Sequence, residues 1–228
     1  MHALRIVHHV RESLVRHGVS ATLYDLAYHT VNIVADFRVL RGMTVRPSDV
    51  NDSILFEAPG FHGRFILSDE LARTYQGAHE LSSDFLREAS VRGDRCYALF
   101  DGDALASYGW YSEKPSPIDD HFVLHFDPAY TYMYKGYTLP AYRGRRLHAV
   151  GMCRALRVFA GESKTGLISY VEANNFASLR SVARMGYRVF GNVYLLRAAN
   201  RAFTFATRSC RNYGFWVESI ASPPRVGP

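Results

Sequence analysis

The stretch from Tyr130 to Thr207 alternates element types in an order that few folds accommodate. An aromatic strand-like run, "TYMYKGYTL", passes through an arginine-rich turn into a helical pattern over about Arg146 to Ala160. A second strand, "GLISYVE", leads to the helical "FASLRSVARM" and then to a hairpin, "YRVFGNVYLLR" with "RAFTFAT". Strands interleaved with amphipathic helices need a sheet on which each helix buries its apolar side. In the first helix Ala149, Met152, Cys153, Leu156, Phe159 and Ala160 share one face, with Arg154, Arg157 and Gly161 opposite. That face is expected to pack on the sheet, which sets the helix's first turn at the carboxyl edge of "TYMYKGYTL", where ligands of open α/β sheets gather.

Upstream, "RCYALF", the turn "DGD" and "ALASYGWYS" read as a hairpin. "SDELARTYQ", with Ser68 as a candidate N-cap, and "HELSSDFLREASV" read as helices, and "SILFEAPG" and "GRFIL" as short extended runs. Two helical patterns precede Pro47, over Leu4 to His17 and over Thr22 to Leu40. In the second, Leu23, Leu26, Ala27, Thr30, Ile33, Val34 and Phe37 form the stripe expected to be buried, and "RGMTVRPSDV" punctuates its end. The expected organisation is a helical extension over 1–46, an α/β domain over 47–218 and a frayed tail over 219–228. The extension is expected to cover the core, with dimerisation or contact with a membrane surface as the other roles open to it.

Of the 228 residues, 48% are hydrophobic and 21% charged, the usage of a folded globular chain. The net charge is +6, and lysine appears only at Lys114, Lys135 and Lys164, so nearly all the positive charge is guanidinium. Guanidinium forks suit phosphate and carboxylate, which points to acidic or phosphorylated partners, RNA among them. Cys96, Cys153 and Cys210 are odd in number and widely spaced, which fits a reduced, cytoplasmic protein without a metal-ligand pattern. No apolar run reaches the roughly 18 residues of a membrane span, and "MHALRIVHHVRESL" is too polar for a signal peptide.

Three arginines crowd the start of the helix after "TYMYKGYTL", in "TLPAYRGRRLHAVGM". A helix's first turn already offers unpaired N–H groups and a positive dipole end, so added guanidinium points to an anion, phosphate above all. This stretch resembles the acyl-CoA loop of the GNAT acetyltransferase superfamily. "VEANNFASLRSVARMGYRVFG" resembles that superfamily's second motif, with Asn175, Ser178, Gly186 and Tyr187 on the matching positions. The resemblance covers roughly residues 47 to 207 and implies a mixed, mainly antiparallel central sheet with helices on both faces.

Residue by residue, the resemblance implies that Thr138, Leu139 and their strand offer backbone groups to a pantetheine arm. Arg143, Gly144, Arg145, Arg146, Leu147 and His148 would present N–H groups to its pyrophosphate, and Asn175, with Ser178 in the next helix's first turn, would hold the arm from the neighbouring strand. The acyl thioester would enter where the two strands splay, and the amine acceptor from the opposite side. Two departures stand out. Arg146 and His148 occupy motif glycines, where side chains would crowd a diphosphate. The superfamily's frequent thiolate-protonating Tyr is replaced by Val182. Candidates for the proton work are therefore Tyr137, Glu172 and His125, with His121 beside the last.

The expected activity is transfer of an acetyl or other small acyl group from a CoA thioester, acetyl-CoA first, to a primary amine of a small molecule such as an amino sugar, without a metal. Two alternatives stay open: a carrier-protein or aminoacyl-tRNA donor, and a non-catalytic binding module on the same scaffold. Residues 113–130, rich in prolines, aromatics and histidines, form the expected acceptor lid. Homodimerisation stays open.

Overall fold

The computed structural model describes residues 18–50, 53–56, 58–74, 81–198 and 201–220. The helix expected over Leu4 to His17 lies outside the described residues. The strands are β1 Asp36–Val45, β2 Phe61–Ile66, β3 Arg95–Asp101, β4 Ala104–Ser112, β5 Ser116–Asp119, β6 Phe122–His125, β7 Tyr130–Thr138, β8 Gly166–Glu172, β9 Arg188–Ala198, β10 Arg201–Ala206 and β11 Trp216–Ser219. The helices are α1 Val19–Val31, α2 Ser53–Phe56, α3 Ser68–Thr74, α4 Ser83–Arg92, α5 Leu147–Gly161 and α6 Phe176–Arg184.

Eight strands form one sheet in the order β10-β9-β1-β8-β7-β4-β3-β2, and β11-β6-β5 form a second, three-stranded sheet. In the large sheet every neighbouring pair is antiparallel except β7 and β8. Its two faces are covered differently. On one face α5 buries Leu147, Val150, Met152, Leu156 and Phe159 against Met43, Val45, Tyr97, Leu99 and Tyr111, and Leu179 and Val182 of α6 join that cluster. Each such side chain contributes about 1.5–3 kcal/mol of apolar burial. On the other face Leu71 of α3 and Leu86 and Ala89 of α4 pack on Ala98, Phe100 and Trp110. The small sheet covers the rest of that face, with Phe122, Leu124 and Val217 on Leu40, Ile168, Val193 and Leu195.

Three expectations are corrected. The helix expected over Thr22 to Leu40 ends at Val31, where the Asn32 side chain donates to Tyr28 O and Phe37 O and accepts from Phe37 N, turning the chain into β1. β1 then runs inside the sheet between β8 and β9, so residues 36–45 belong to the sheet and the boundary at residue 46 falls past a central strand. The stripe assigned to the core is largely solvent-facing: Leu23, Ile33 and Val34 are 62%, 81% and 83% exposed, and α1 instead buries Thr22 and Tyr28. "SILF" is a single helical turn rather than a strand. The expected lid contains β5 and β6, whose partner β11 comes from the chain's last described residues.

Candidate functional site

The site begins where β7 leaves β8. The two pair only over Tyr130–Tyr132 and Gly166–Ile168, beyond which the Ser169 hydroxyl donates to Met133 O at 2.8 Å and the Tyr132 and Tyr170 rings stack. Beyond it β7 stays paired with β4 as far as Thr138, and β8 with β1 as far as Glu172. The cause is local. Met133 stands opposite Tyr111 and Lys135 opposite Trp110, so Tyr134 is an extra residue on β7, a bulge that bends the strand away. The Tyr134 hydroxyl is anchored at 2.9 Å on Asp94, whose side chain is 1% exposed and also takes the Arg92 guanidinium. A wedge-shaped gap opens between residues 134–138 and 170–172.

The arginine-rich turn lies at the open end of this gap. Leu139 N donates to Ala106 O, a short turn spans Pro140–Tyr142, and Gly144 takes a φ of 81°. Arg146 also adopts the left-handed conformation, with φ 55° and ψ 19°, at a cost of about 1–2 kcal/mol for a non-glycine residue. It keeps the backbone shape a glycine would favour while its side chain faces solvent. No side chain caps α5, and its first internal bond is Val150 N to Arg146 O. The N–H groups of Leu147, His148 and Ala149 therefore point out of the helix end, the arrangement that binds anions.

His148 turns the other way. A Cβ at Gly136 would lie 2.1 Å from its Cε1, so the imidazole rests directly on the backbone of β7. Gly136 stands opposite Gly109 on β4; Gly136 leaves the slot under α5 that the imidazole fills, while the Tyr111 ring lies over Gly109. Tyr97, Leu99, Ser107, Tyr111 and Gly151 line the slot's inner end. Burial holds the imidazole below its ordinary pKa, so it is neutral at neutral pH.

His148 is also among the residues lining a cavity of about 430 Å³ between the first turn of α5 and the second half of α6. Arg146, His148, Ala149, Ser181, Arg184 and Met185 line it, with Ile54 of α2, and no acidic residue is among them. Arg143 and Arg145, earlier in the turn, are not among the lining residues: the first lies over the Tyr137 ring with its Nε on Thr138 O, the second over Phe61 and Tyr142.

The remaining candidates separate. Thr138 and Leu139 lie beside the turn, Thr138 bonded to the Ser107 hydroxyl. Tyr137 faces the α4 side, tilted on Tyr108, its hydroxyl 3.5 Å from Arg143 Nη2. The Asn175 side chain caps α6 by accepting from Ser178 N at 3.1 Å. Glu172 closes the gap on the face covered by the small sheet, near Tyr170 and Arg38. There Arg38 pairs with Asp119, while Arg197 holds Asp36 and donates to His121 Nε2 at 2.9 Å. His125 lies in the small sheet, stacked at 4.1 Å on Trp216 and paired with Glu218. It is bound up with β11 rather than with the strands that splay. Val182 packs in the core under α5.

Arg184 and Gly136 were absent from the sequence candidates. A glycine inside the aromatic run "YMYKGYT" marks a close approach by another group, a usable signal. Arg180 and Arg184, four apart on the exposed side of α6, were the signal for Arg184.

Among the described residues no group of three or more His, Cys, Asp or Glu side chains is placed to hold a metal ion, and no helix is long and apolar enough to cross a membrane. The three cysteines are buried and unbridged. Neither a protein-family model nor a curated protein matches the sequence. Solved structures do. A GCN5-related N-acetyltransferase from Sphaerobacter thermophilus matches with a TM-score of 0.50 at 12% identity, over 91% of this chain and 58% of that one. A tandem GNAT protein from the clavulanic acid biosynthesis pathway matches at 0.48 and 15% identity, over 87% and 59%. A GCN5-related N-acetyltransferase from Kribbella flavida matches at 0.48 and 17%, over 77% and 64%. The match spans about three fifths of the length of these proteins. The first likeness shows the fold, that of the GCN5-related N-acetyltransferases.

Proposed function

We propose that a chain with this fold is an N-acyltransferase that moves a small acyl group, acetyl first, from a CoA thioester to a primary amine of a small molecule. The observation that carries the reading is a sequence of three neighbouring features: the uncapped first turn of α5, the cavity lined by Arg146 and Arg184 beside it, and the gap between β7 and β8 on the strands that precede α5 and α6. A donor with phosphate at one end and a thioester at the other matches these features in order. The N–H groups of Leu147 to Ala149 and the guanidiniums meet the phosphate, and the unpaired edge of β7 meets the pantetheine amides. The amine enters from the small-sheet face, past Tyr170 and Glu172. It attacks the thioester carbonyl, the C–N bond forms, the C–S bond breaks, and the proton lost by nitrogen is taken up at sulfur.

The exposed guanidiniums at the mouth also favour a second donor, an acidic carrier protein presenting a single phosphate on its pantetheine. The test is calorimetric titration with acetyl-CoA, with free phosphopantetheine and with an acylated carrier, followed by thiol release against a panel of amines. Saturable binding of a thioester with amine-dependent thiol release is expected. Absence of both for every donor removes the reading.

A further inference from the structure

The large sheet ends on β10, which pairs with β9 alone, in a register without a bulge from Arg201 opposite Ala198 to Ala206 opposite Val193. Among the described residues no backbone hydrogen bond reaches its outer side. Edge strands of folded proteins are usually blunted by lysine, proline, a bulge or a covering element. The strand "RAFTFA" holds no lysine and no proline, and only its first residue is charged. The opposite edge, β2, carries His62 and Arg64, the latter paired with Glu70.

The side chains of β10 divide between the two faces of the sheet. Ala202 and Ala206 pack under the small sheet, in the cluster of Leu195 and Val217. Phe203 and Phe205 point the other way and are 53% and 67% exposed. Directly opposed residues share a face, so Phe203 extends the row Phe37–Leu196, and Phe205 the row Val39–Tyr194, across β1 and β9. The Tyr194 and Phe205 rings lie 6.1 Å apart. Both rows begin under α1, where Tyr28 packs with Val39, Phe37 and Tyr194, and both run off the end of the sheet.

We propose that β10 is a dimerisation edge: a second copy of this chain adds its own β10 antiparallel to it, about a two-fold axis at Thr204. The strand is self-complementary about that residue. Phe203 then stands beside the partner's Phe205, Ala202 beside the partner's Ala206, and Thr204 beside the partner's Thr204. The row Phe37–Leu196–Phe203 continues through the partner's Phe205 and the partner's Tyr194, so an apolar row cut off at the edge is completed. Arg201 falls opposite the partner's Thr207, which keeps the two guanidiniums at opposite ends of the pairing. At roughly 200 Å² per phenylalanine, the two rings expose about 240 Å² per copy, against about 800 Å² per partner in a stable interface. Strand pairing adds the backbone edge to that area, and the dimer is expected to form reversibly at roughly micromolar concentration. It does not depend on the acyltransferase reading.

The experiment is sedimentation of the full chain over roughly 1–200 µM, with dichroism and melting of each variant checked first. Wild type is expected to pass from monomer to dimer as concentration rises. Phe203→Glu with Phe205→Glu, and Phe203→Lys with Phe205→Lys, each set like charges beside one another and should weaken the dimer at least about 30-fold, while an equimolar mixture of the two restores it. Thr204→Cys should crosslink into a dimer on mild oxidation, since opposed antiparallel residues have Cα atoms about 4.5–5.5 Å apart and the native cysteines are buried. Arg201→Cys should not, because the two copies of that residue lie about 20 Å apart along the strands. A wild type that stays monomeric overturns the inference; if the glutamate pair also lowers its melting temperature, a segment of this chain occupies the edge instead. A dimer that survives both charged pairs, or one crosslinked by Arg201→Cys and not by Thr204→Cys, overturns it as well.

Discussion

Replacing Gly136 with alanine puts a methyl carbon 2.1 Å from Cε1 of His148, 2.7 Å from its Nδ1 and 3.0 Å from its Nε2. All three approaches lie inside van der Waals contact, so the ring cannot stay. It must rotate towards the cavity, or α5 must lift from β7. Forcing a side chain off its packed position costs about 1–3 kcal/mol. The backbone at Gly136 has no left-handed torsion, so alanine adds no strain of its own and returns about 0.4–1 kcal/mol by restricting the unfolded chain. The net expectation for Gly136→Ala is a loss of about 1–2 kcal/mol, or roughly 2–4 °C in Tm per kcal/mol for a chain of this size.

His148→Ala alone empties the slot and loses ring contacts, about 1–2 kcal/mol. In the double variant the new methyl at 136 enters the vacated volume. The two losses should therefore fail to add, with a coupling of about 1–2 kcal/mol in favour of the double variant. Urea unfolding of all four proteins at one pH, read by tryptophan fluorescence and far-ultraviolet dichroism, measures the cycle. Gly136→Ala within about 0.5 kcal/mol of wild type, or a double variant additive within about 0.5 kcal/mol, would refute the placement of the ring on β7.

Arg146→Gly relieves a left-handed arginine and should raise the unfolding free energy from urea titration by up to about 1 kcal/mol while weakening donor binding; a lower unfolding free energy would show that the arginine is not strained. Asp94→Ala strips the partner from the Tyr134 hydroxyl and the Arg92 guanidinium and should cost about 3 kcal/mol in urea unfolding. A near-wild-type midpoint would separate Asp94 from the bulge. Stability should also fall on the alkaline side. Burial pushes the phenol of Tyr28 up to about 12 and also raises those of Tyr111, Tyr132 and Tyr187. A raised folded pKa means that stability is fully present below the unfolded value near 10 and is lost as pH climbs towards the folded values. Tyrosine absorbance at 295 nm should therefore include a late step that coincides with loss of dichroism, and gradual ionisation of every phenol near pH 10 in a folded protein would contradict it.

The elements that sequence reading located are those whose physics is local. α5 and α6 carry apolar residues at helical spacing, and β3 and β4 meet at an Asp-Gly-Asp turn. β1 was misread because an interior strand loses the period-two signal. Leu40, Gly42, Met43, Thr44 and Val45 are all buried, while the spacing of Ile33, Val34 and Phe37 imitates a helical stripe. The small sheet was hidden for a different reason. Its pairing joins Phe122–His125 to Trp216–Ser219, a contact between distant segments that no window along the chain contains.

Within the site, the turn and Asn175 were legible because a strand, a bend and a helix start have fixed residue needs. The direction of the His148 side chain was not, because it is decided by Gly136, which lies on a strand outside the helix that carries the ring. That glycine bears on what the altered loop means. If arginine and histidine had simply displaced two glycines from an anion cradle, Arg146 would have no need to hold a left-handed torsion, and nothing on the sheet would make room for an imidazole. Instead Arg146 keeps the backbone shape, and Gly136 on β7 supplies the volume that the ring takes up. The glycine character missing from the loop is found beneath it, so the loop, the strands and the ring behave as one packed unit, with the N–H groups of α5 still open to an anion.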